Sequence, residues 1–280
     1  MSTLAAIPSP PWSSLSLGPL ELRAYGLLIA IGVILAIRRL GVGIDQLRPG
    51  TAEAAPSIGM WGVGAGLVGA RVYHVVTEWD RFADNLSEIP KVWHGGLGIP
   101  GGVLLGTVVG VLRARSFGIS TADTLHAAAP AIPLAQGVGR WGNWFNQELF
   151  GRPTSLPWAL QIDDAHLPAS FESGTTFHPT FLYESLWTLA LSVCLVRLSG
   201  SPRLVGSRLF ALYVAGYGLG RLWIEGLRID DASVLGGLRW NQWVAIAAIL
   251  GGGVFLLLTS SSRTSLEELD VQQTSENDDR

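Results

Sequence analysis

Two short stretches of the chain carry polar side chains at helical spacing among apolar neighbours. In GRWGNWFNQELFGR, residues 139–152, Arg140, Asn143 and Gln147 follow one another at three and four, so a helix would set them on one side. Trp141, Trp144 and Phe145 fall on the others. In GYGLGRLWIEGLR, Tyr217, Arg221, Glu225 and Arg228 recur at four, four and three, which puts a phenol, two guanidiniums and a carboxylate along one face. Guanidinium groups bind phosphate or carboxylate oxygens through paired N–H donors. The chemistry these residues offer is therefore recognition of an anion and stabilisation of negative charge as it develops.

Something must hold such groups in place, and the composition indicates a lipid-embedded scaffold. With 48% hydrophobic residues, 15% charged residues and a mean hydropathy of +0.35, the 280-residue chain has too few charges to clothe a soluble domain of its size. A net charge of −3, much of whose acidity sits in the last 20 residues, offers no basic patch for nucleic acid. Cys194 is the single cysteine, so neither a disulfide framework nor a cysteine-based metal site can form. Apolar segments near 21–39, 54–77, 96–112, 121–139, 180–198, 207–227 and 241–259 approach the roughly 20 residues that span a bilayer. The expected fold is an all-α integral membrane protein of about seven transmembrane helices with a small outer-face head region.

Arginines gather after the first segment (Arg38, Arg39, Arg48), after the third (Arg113, Arg115) and between the fifth and sixth (Arg197, Arg203, Arg208). The positive-inside rule makes those ends cytoplasmic and places the N-terminus outside. The chain then divides into an extracytoplasmic arm, 1–20, a transmembrane catalytic domain, 21–260, with an outer-face segment 141–179, and a polar cytoplasmic tail, 261–280, expected to be disordered. Glycines four apart, such as Gly62 and Gly66 or Gly102, Gly106 and Gly110, mark close helix packing. Segment 121–139 holds Pro130, Pro133, Asp123 and His126, and reads as kinked or re-entrant and shielded by neighbours.

An arginine inside a membrane costs roughly 2.5–3.5 kcal/mol near the centre unless it faces a partner or a wet cavity. Arg221 and Glu225 can simply neutralise each other, and the polar groups of the first stretch can cap and staple helices while its aromatics anchor the interface. With Arg140 as a second guanidinium in the outer half, an anionic-substrate site is the stronger reading. A third cluster, FHPTFLYE, opens the fifth segment with Pro179 suited to a first helical turn and with Tyr183 and Glu184 inside. His178 there reads first as a hydrogen-bonding structural residue at the outer interface; it joins Glu225 among the groups placed beside substrate. Tyr25, in LRAYGLLIA, sits at the outer end of the first segment, where interface anchoring is the simplest role.

GVGRWGNWFNQELFGR resembles the signature G-x-G-R-x-x-N-[FW]-x-N-x-E of bacterial prolipoprotein diacylglyceryl transferases, and AYGLL, HPTFLYE and GYGLGRLWIEGLR fall where that family has its other marks. The resemblance runs from about residue 20 to 260. It implies transfer of the sn-1,2-diacylglyceryl group from phosphatidylglycerol to the thiol of a prolipoprotein's lipobox cysteine, releasing glycerol 1-phosphate, at the bacterial plasma membrane. It also implies no metal or other cofactor. The family's functional positions fall on Tyr25, Arg140, Asn143, Glu148, Gly151, Tyr217 and Arg221. Arg140 and Arg221 would meet the phosphate, Tyr217 would donate to it, and Asn143 and Glu148 would orient the head group or hold the arginines. With the nucleophile supplied by substrate, Cys194 reads as a buried small hydrophobe.

HGGLGIPGG departs from the family, because Pro100 occupies the register of a histidine often assigned to thiol deprotonation and the histidine that remains is His94. His94 takes over that work or no base is present. Two other function classes share these features: a small-anion transporter and an intramembrane phospholipase. Against the transporter stand the absence of a visible inverted repeat and the clustering of polar groups toward one leaflet.

Overall fold

The computed structural model describes residues 6–17, 20–92 and 96–278, with backbone alone at 16–17, 20–21 and 261–278. His94 therefore lies outside the described residues. A hairpin of β1 (Ser14–Leu17) and β2 (Leu20–Arg23), with Ser14 opposite Arg23, leads into α1 (Ala24–Leu47). Next come α2 (Ala55–Thr77), the short α3 (Trp79–Phe82), α4 (Ile99–Arg115), α5 (Thr121–Gly139) and α6 (Trp141–Asn146). A head segment follows in which β3 (Leu160–Gln161) pairs antiparallel with β4 (Thr176–Phe177). The chain closes with α7 (Thr180–Leu198), α8 (Ser207–Glu225), a hairpin of β5 (Val234–Leu235) and β6 (Leu238–Arg239), and α9 (Trp240–Asp278).

The molecule is mostly helical, and among the described residues three stretches are long and apolar enough to cross a membrane: α1, α7 and Trp240–Ser260 of α9. The all-helical expectation needs amending at three two-stranded sheets among the described residues, whose strands of two to four residues are too short to show an alternating pattern. The helical backbone of α9 also runs on to Asp278, through part of the tail 261–280 that reads as disordered in sequence; SLEELDVQQ is rich in good helix formers. Cys194 is exposed on α7, not buried as its apolar surroundings suggest.

Local chemistry sets where the helices begin. Ser120 caps α5 by accepting from the Asp123 backbone N–H at 3.0 Å, and α2 and α4 each open with a proline in the first turn, where no intrahelical donor is lost. Pro100 is the proline that opens α4. The core centres on α5, which packs against α1, α7 and α8 through Ala127, Ala129 and Ala131. Both of its prolines lie within one helix, and Ser192 of α7 donates to the Pro130 carbonyl at 2.7 Å, the kind of cross-helix bond that lets an apolar interior tolerate proline.

Two helical pairs flank this centre, α2 with α4 and α8 with α9. The first pair approaches so closely that a Cβ on Gly101 would lie 2.3 Å from the Gly69 carbonyl oxygen and 2.4 Å from the Tyr73 Cβ. Neither neighbour is the free end of a side chain, so the helices must part to accept a methyl. Gly101→Ala is expected to lower stability by about 1–3 kcal/mol, read as an earlier unfolding transition in detergent micelles. An unchanged transition would show that the α2–α4 contact is looser than this.

Candidate active site

At the end of the bundle where α5 stops and α8 finishes, buried guanidiniums and carboxylates form a continuous chain. Glu184, one turn into α7, takes Arg140 Nε on Oε2 at 2.5 Å and Arg221 Nη1 on Oε1. Arg221 Nη2 reaches Glu225 Oε2 at 2.5 Å one turn along α8. Glu225, fully enclosed at 0% exposure, takes Arg239 Nε at 2.8 Å on its other oxygen. Arg228 and Arg239 then share Asp230, with Arg228 forming a two-pronged contact at 2.7 Å on each oxygen. Burial alone would raise the Asp230 carboxyl, but the hydrogen bonds from Arg228 and the charges of Arg228 and Arg239 outweigh it and hold it below its ordinary value.

This ion-pair network holds four arginines and three acids, and Glu148, joined to it through Asn143, brings the balance to neutral. Attraction for an anion thus comes from placement, not net charge. All four guanidiniums line a cavity of about 1110 Å³, while Glu184 and Glu225 stand behind its wall. Arg140 keeps one donor in reserve: its Nη2 is buried without a hydrogen-bond partner. An unpaired buried donor is costly. Below the guanidiniums the walls turn apolar, with Val103 and Leu104 of α4, Phe210 and Val214 of α8 and Ala248 of α9. The cavity thus has a charged top and an apolar shaft, matching a phospholipid's head and chains.

Asn143 accepts from Arg140 Nη1 at 3.4 Å and donates to Glu148 at 2.8 Å, so it joins the arginine to the carboxylate. Glu148 sits between two non-glycine residues with positive φ, Gln147 at 51° and Leu149 at 58°. Left-handed backbone at a leucine is strained, and here it turns the chain so that Glu148 faces back toward Asn143. Gln147 does not stay with Arg140 and Asn143 as the helical spacing suggests. With α6 ended at Asn146, its amide instead exchanges two hydrogen bonds with Asp163, at 2.6 and 2.8 Å.

Tyr25 and Tyr217 line the same cavity as the arginines. Tyr25's ring lies against Gly142, where a Cβ would fall 2.3 Å from its Cδ2. Gly151 and His178 lie apart from that wall. The Gly151 N–H donates to the His178 carbonyl at 2.9 Å, and Gly151 bridges Arg228, tying the head segment to the loop after α8. His178 Nδ1 is 3.1 Å from the Tyr183 hydroxyl. Burial and, after it, the nearby Arg152 hold the His178 imidazole below its ordinary value, so it is neutral at pH 7.

The head is fixed by an aromatic core of Phe150, Phe177 and Phe181, and by the N-terminal arm, whose Ile7 bonds both Ala159 and Gln161. The sequence motifs give Glu184 no role beyond its place inside the fifth segment and do not include Arg239. The signal for Glu184 was a carboxylate inside an apolar span, which demands a cationic partner. Arg239 had no local signal, since its partner Glu225 is 14 residues away.

Residues 13–258 match the protein-family model described as prolipoprotein diacylglyceryl transferase. The chain is 47% identical over 262 residues to a phosphatidylglycerol–prolipoprotein diacylglyceryl transferase of Frankia alni, covering 91% of this chain and 67% of that one. It is 43% identical over 269 residues to the second such protein of Streptomyces coelicolor, covering 95% and 84%. A Corynebacterium glutamicum protein with the first of these names is 41% identical over 281 residues, covering 96% and 89%.

Proposed function

The chain belongs to the prolipoprotein diacylglyceryl transferase family, and from that premise we propose that it transfers the sn-1,2-diacylglyceryl group of phosphatidylglycerol to the lipobox cysteine of a prolipoprotein. The observation that carries this reading is the pair of arginines, Arg140 and Arg221, held by one carboxylate at the charged top of a cavity with an apolar shaft. The cysteine sulfur attacks the glyceryl carbon that bears the phosphate; the C–S bond forms as the C–O bond breaks. The bonding pair goes to the phosphate oxygen, glycerol 1-phosphate leaves, and the thiol proton departs with it. Arg140 and Arg221 hold the phosphate and stabilise the charge it gains. Tyr217 donates to a phosphate oxygen, and Tyr25, Asn143 and Glu148 keep the guanidiniums and head group aligned. His178 and Gly151 support the site through the head segment.

Deprotonation of the thiol rests on those same guanidiniums. A cysteine of reference pKa near 8.5 is a few per cent thiolate at neutral pH, and adjacent positive charge raises the fraction. Activity is expected to climb with pH as the thiol ionises, with no plateau near a histidine pKa of about 6.5. Because Pro100 opens α4 at the family's histidine position, His94→Gln should keep most of the activity and the parent's pH profile. A hundredfold loss at unchanged expression would make His94 the base.

The enzyme sits in the bacterial plasma membrane with seven spans, segment 121–139 kinked at its prolines and shielded by α1, α7 and α8. The N-terminal arm and head face outward, and residues 261–280 face the cytoplasm. Single cysteines at Ser13 and Ser265 in a Cys194→Ala background report this orientation: an impermeant thiol reagent on intact cells should label position 13 alone. Labelling of position 265 would invert the topology.

The reaction itself is tested with phosphatidylglycerol labelled in its head-group glycerol. Release of water-soluble glycerol phosphate should require a peptide with a lipobox cysteine and stop when that cysteine is serine. Release without peptide would instead indicate a phospholipase.

A further inference from the structure

Of the four guanidiniums at the cavity, that of Arg239 is the one the transfer chemistry leaves without a task. It makes four hydrogen bonds with its five N–H donors: Nε to Glu225 Oε1 at 2.8 Å, Nη1 to the carbonyls of Arg228 at 3.3 Å and Asp230 at 2.8 Å, and Nη2 to Asp230 Oδ2 at 3.0 Å. Little is left with which to bind a phosphate. Arg221, by contrast, makes one hydrogen bond among the described residues, to Glu184, beside its ion contact with Glu225. The Arg239 backbone is fixed as well. Its N–H donates to Gln242 Oε1 at 3.0 Å, and Gln242 Nε2 donates to the carbonyl of Leu222, next to Arg221 in α8, at 3.2 Å.

Glu225 closes α8 and is fully enclosed. Among the described residues Arg239 Nε is the one donor aligned on its carboxylate. Arg221 Nη2 stands 2.5 Å from Oε2 and Arg228 Nη1 3.7 Å from it, but neither is aligned as a hydrogen bond. Those two guanidiniums already offset the charge of Glu225, so neutralisation does not require a third. What the bond on Oε1 adds is direction: it fixes how the carboxylate is turned, and so where Oε2 stands against Arg221.

We propose that Arg239 is a positioning residue for the transfer reaction: it holds the Glu225 carboxylate in place and through it orients the Arg221 guanidinium, without itself touching lipid. This rests on the reading of Arg221 as a phosphate-binding group. The β5–β6 hairpin serves the same end, because it brings Arg239 back to a carboxylate 14 residues earlier. A displacement of about 1 Å at such a group can slow a reaction on the order of a hundred-fold.

The test measures kcat and KM for phosphatidylglycerol, per folded molecule, in transfer to a lipobox peptide by the parent, Arg239→Lys, Glu225→Gln and the double variant. Lysine keeps the charge but cannot serve Glu225, Asp230 and the loop carbonyls together. Arg239→Lys should lower kcat roughly ten- to a hundred-fold and leave KM within about three-fold, the pattern of an interaction made in the transition state. In the Glu225→Gln background the same change should cost less than about three-fold, because the carboxylate it acts through is gone. Parental kcat in Arg239→Lys, even with earlier unfolding, would overturn the proposal, as would losses that multiply in the double variant. If Glu225→Gln does not fold, kcat and KM of Arg239→Lys decide by themselves. No transfer by the parent would count against the transferase reading alone. Protection of the parent and Arg239→Lys from heat by inorganic phosphate then decides, weaker protection of the variant being expected and equal protection overturning the positioning role.

Discussion

Replacing Arg221 with lysine is expected to cut transfer roughly a hundred- to a thousand-fold, the usual effect of removing a preorganised donor to developing charge, while folded protein remains in the membrane. Lysine keeps the positive charge that Glu184 and Glu225 need. It cannot span both carboxylates and still present a planar fork to phosphate. Arg221→Ala should lose at least as much, but it also strands two buried carboxylates, so the lysine variant is the cleaner reading. Arg140→Lys should behave in the same way, because its unpartnered Nη2 is lost. Near-normal turnover in Arg221→Lys would mean that the guanidinium only neutralises its neighbours.

Glu184→Gln is expected to have the second large effect, on stability and turnover together. One carboxylate holds Arg140 with one oxygen and Arg221 with the other, and its side chain is 8% exposed. Removing one partner from such a buried assembly typically costs about 3–5 kcal/mol because the remaining charges are left uncompensated. Thermal unfolding should come earlier, and turnover should fall as the guanidiniums lose their common anchor. Inorganic phosphate should then stabilise Glu184→Gln more than the parent, by taking the place of the missing carboxylate between the two arginines. Equal stabilisation of both would show that Glu184 does not hold the arginines for an anion.

The helices were legible because each is a predominantly apolar stretch between polar or glycine- and proline-bearing loops: 121–139 and 180–198 are the helices α5 and α7 themselves. The polar faces were legible for a similar reason, since the four-residue interval between Arg221 and Glu225 is a helical turn and the two do meet. What escaped was anything joining distant segments. Nothing near Glu184 announces that it unites a residue 44 positions earlier with one 37 positions later. Gln147 misled because local spacing assumes that the helix continues, whereas α6 ends one residue before it. Cys194 misled because an apolar neighbourhood in sequence means burial in water-soluble proteins, while in a lipid-facing helix it is compatible with exposure.

The central claim is that this cavity joins a diacylglyceryl group to a peptide thiol. Its most direct measurement is the mass of a lipobox peptide after incubation with the purified protein and phosphatidylglycerol of a single acyl composition. The expected peptide is heavier by that lipid's diacylglyceryl group less one hydrogen, with the addition mapped to the cysteine and lost in Arg221→Lys. A peptide of unchanged mass accompanied by free diacylglycerol would contradict it.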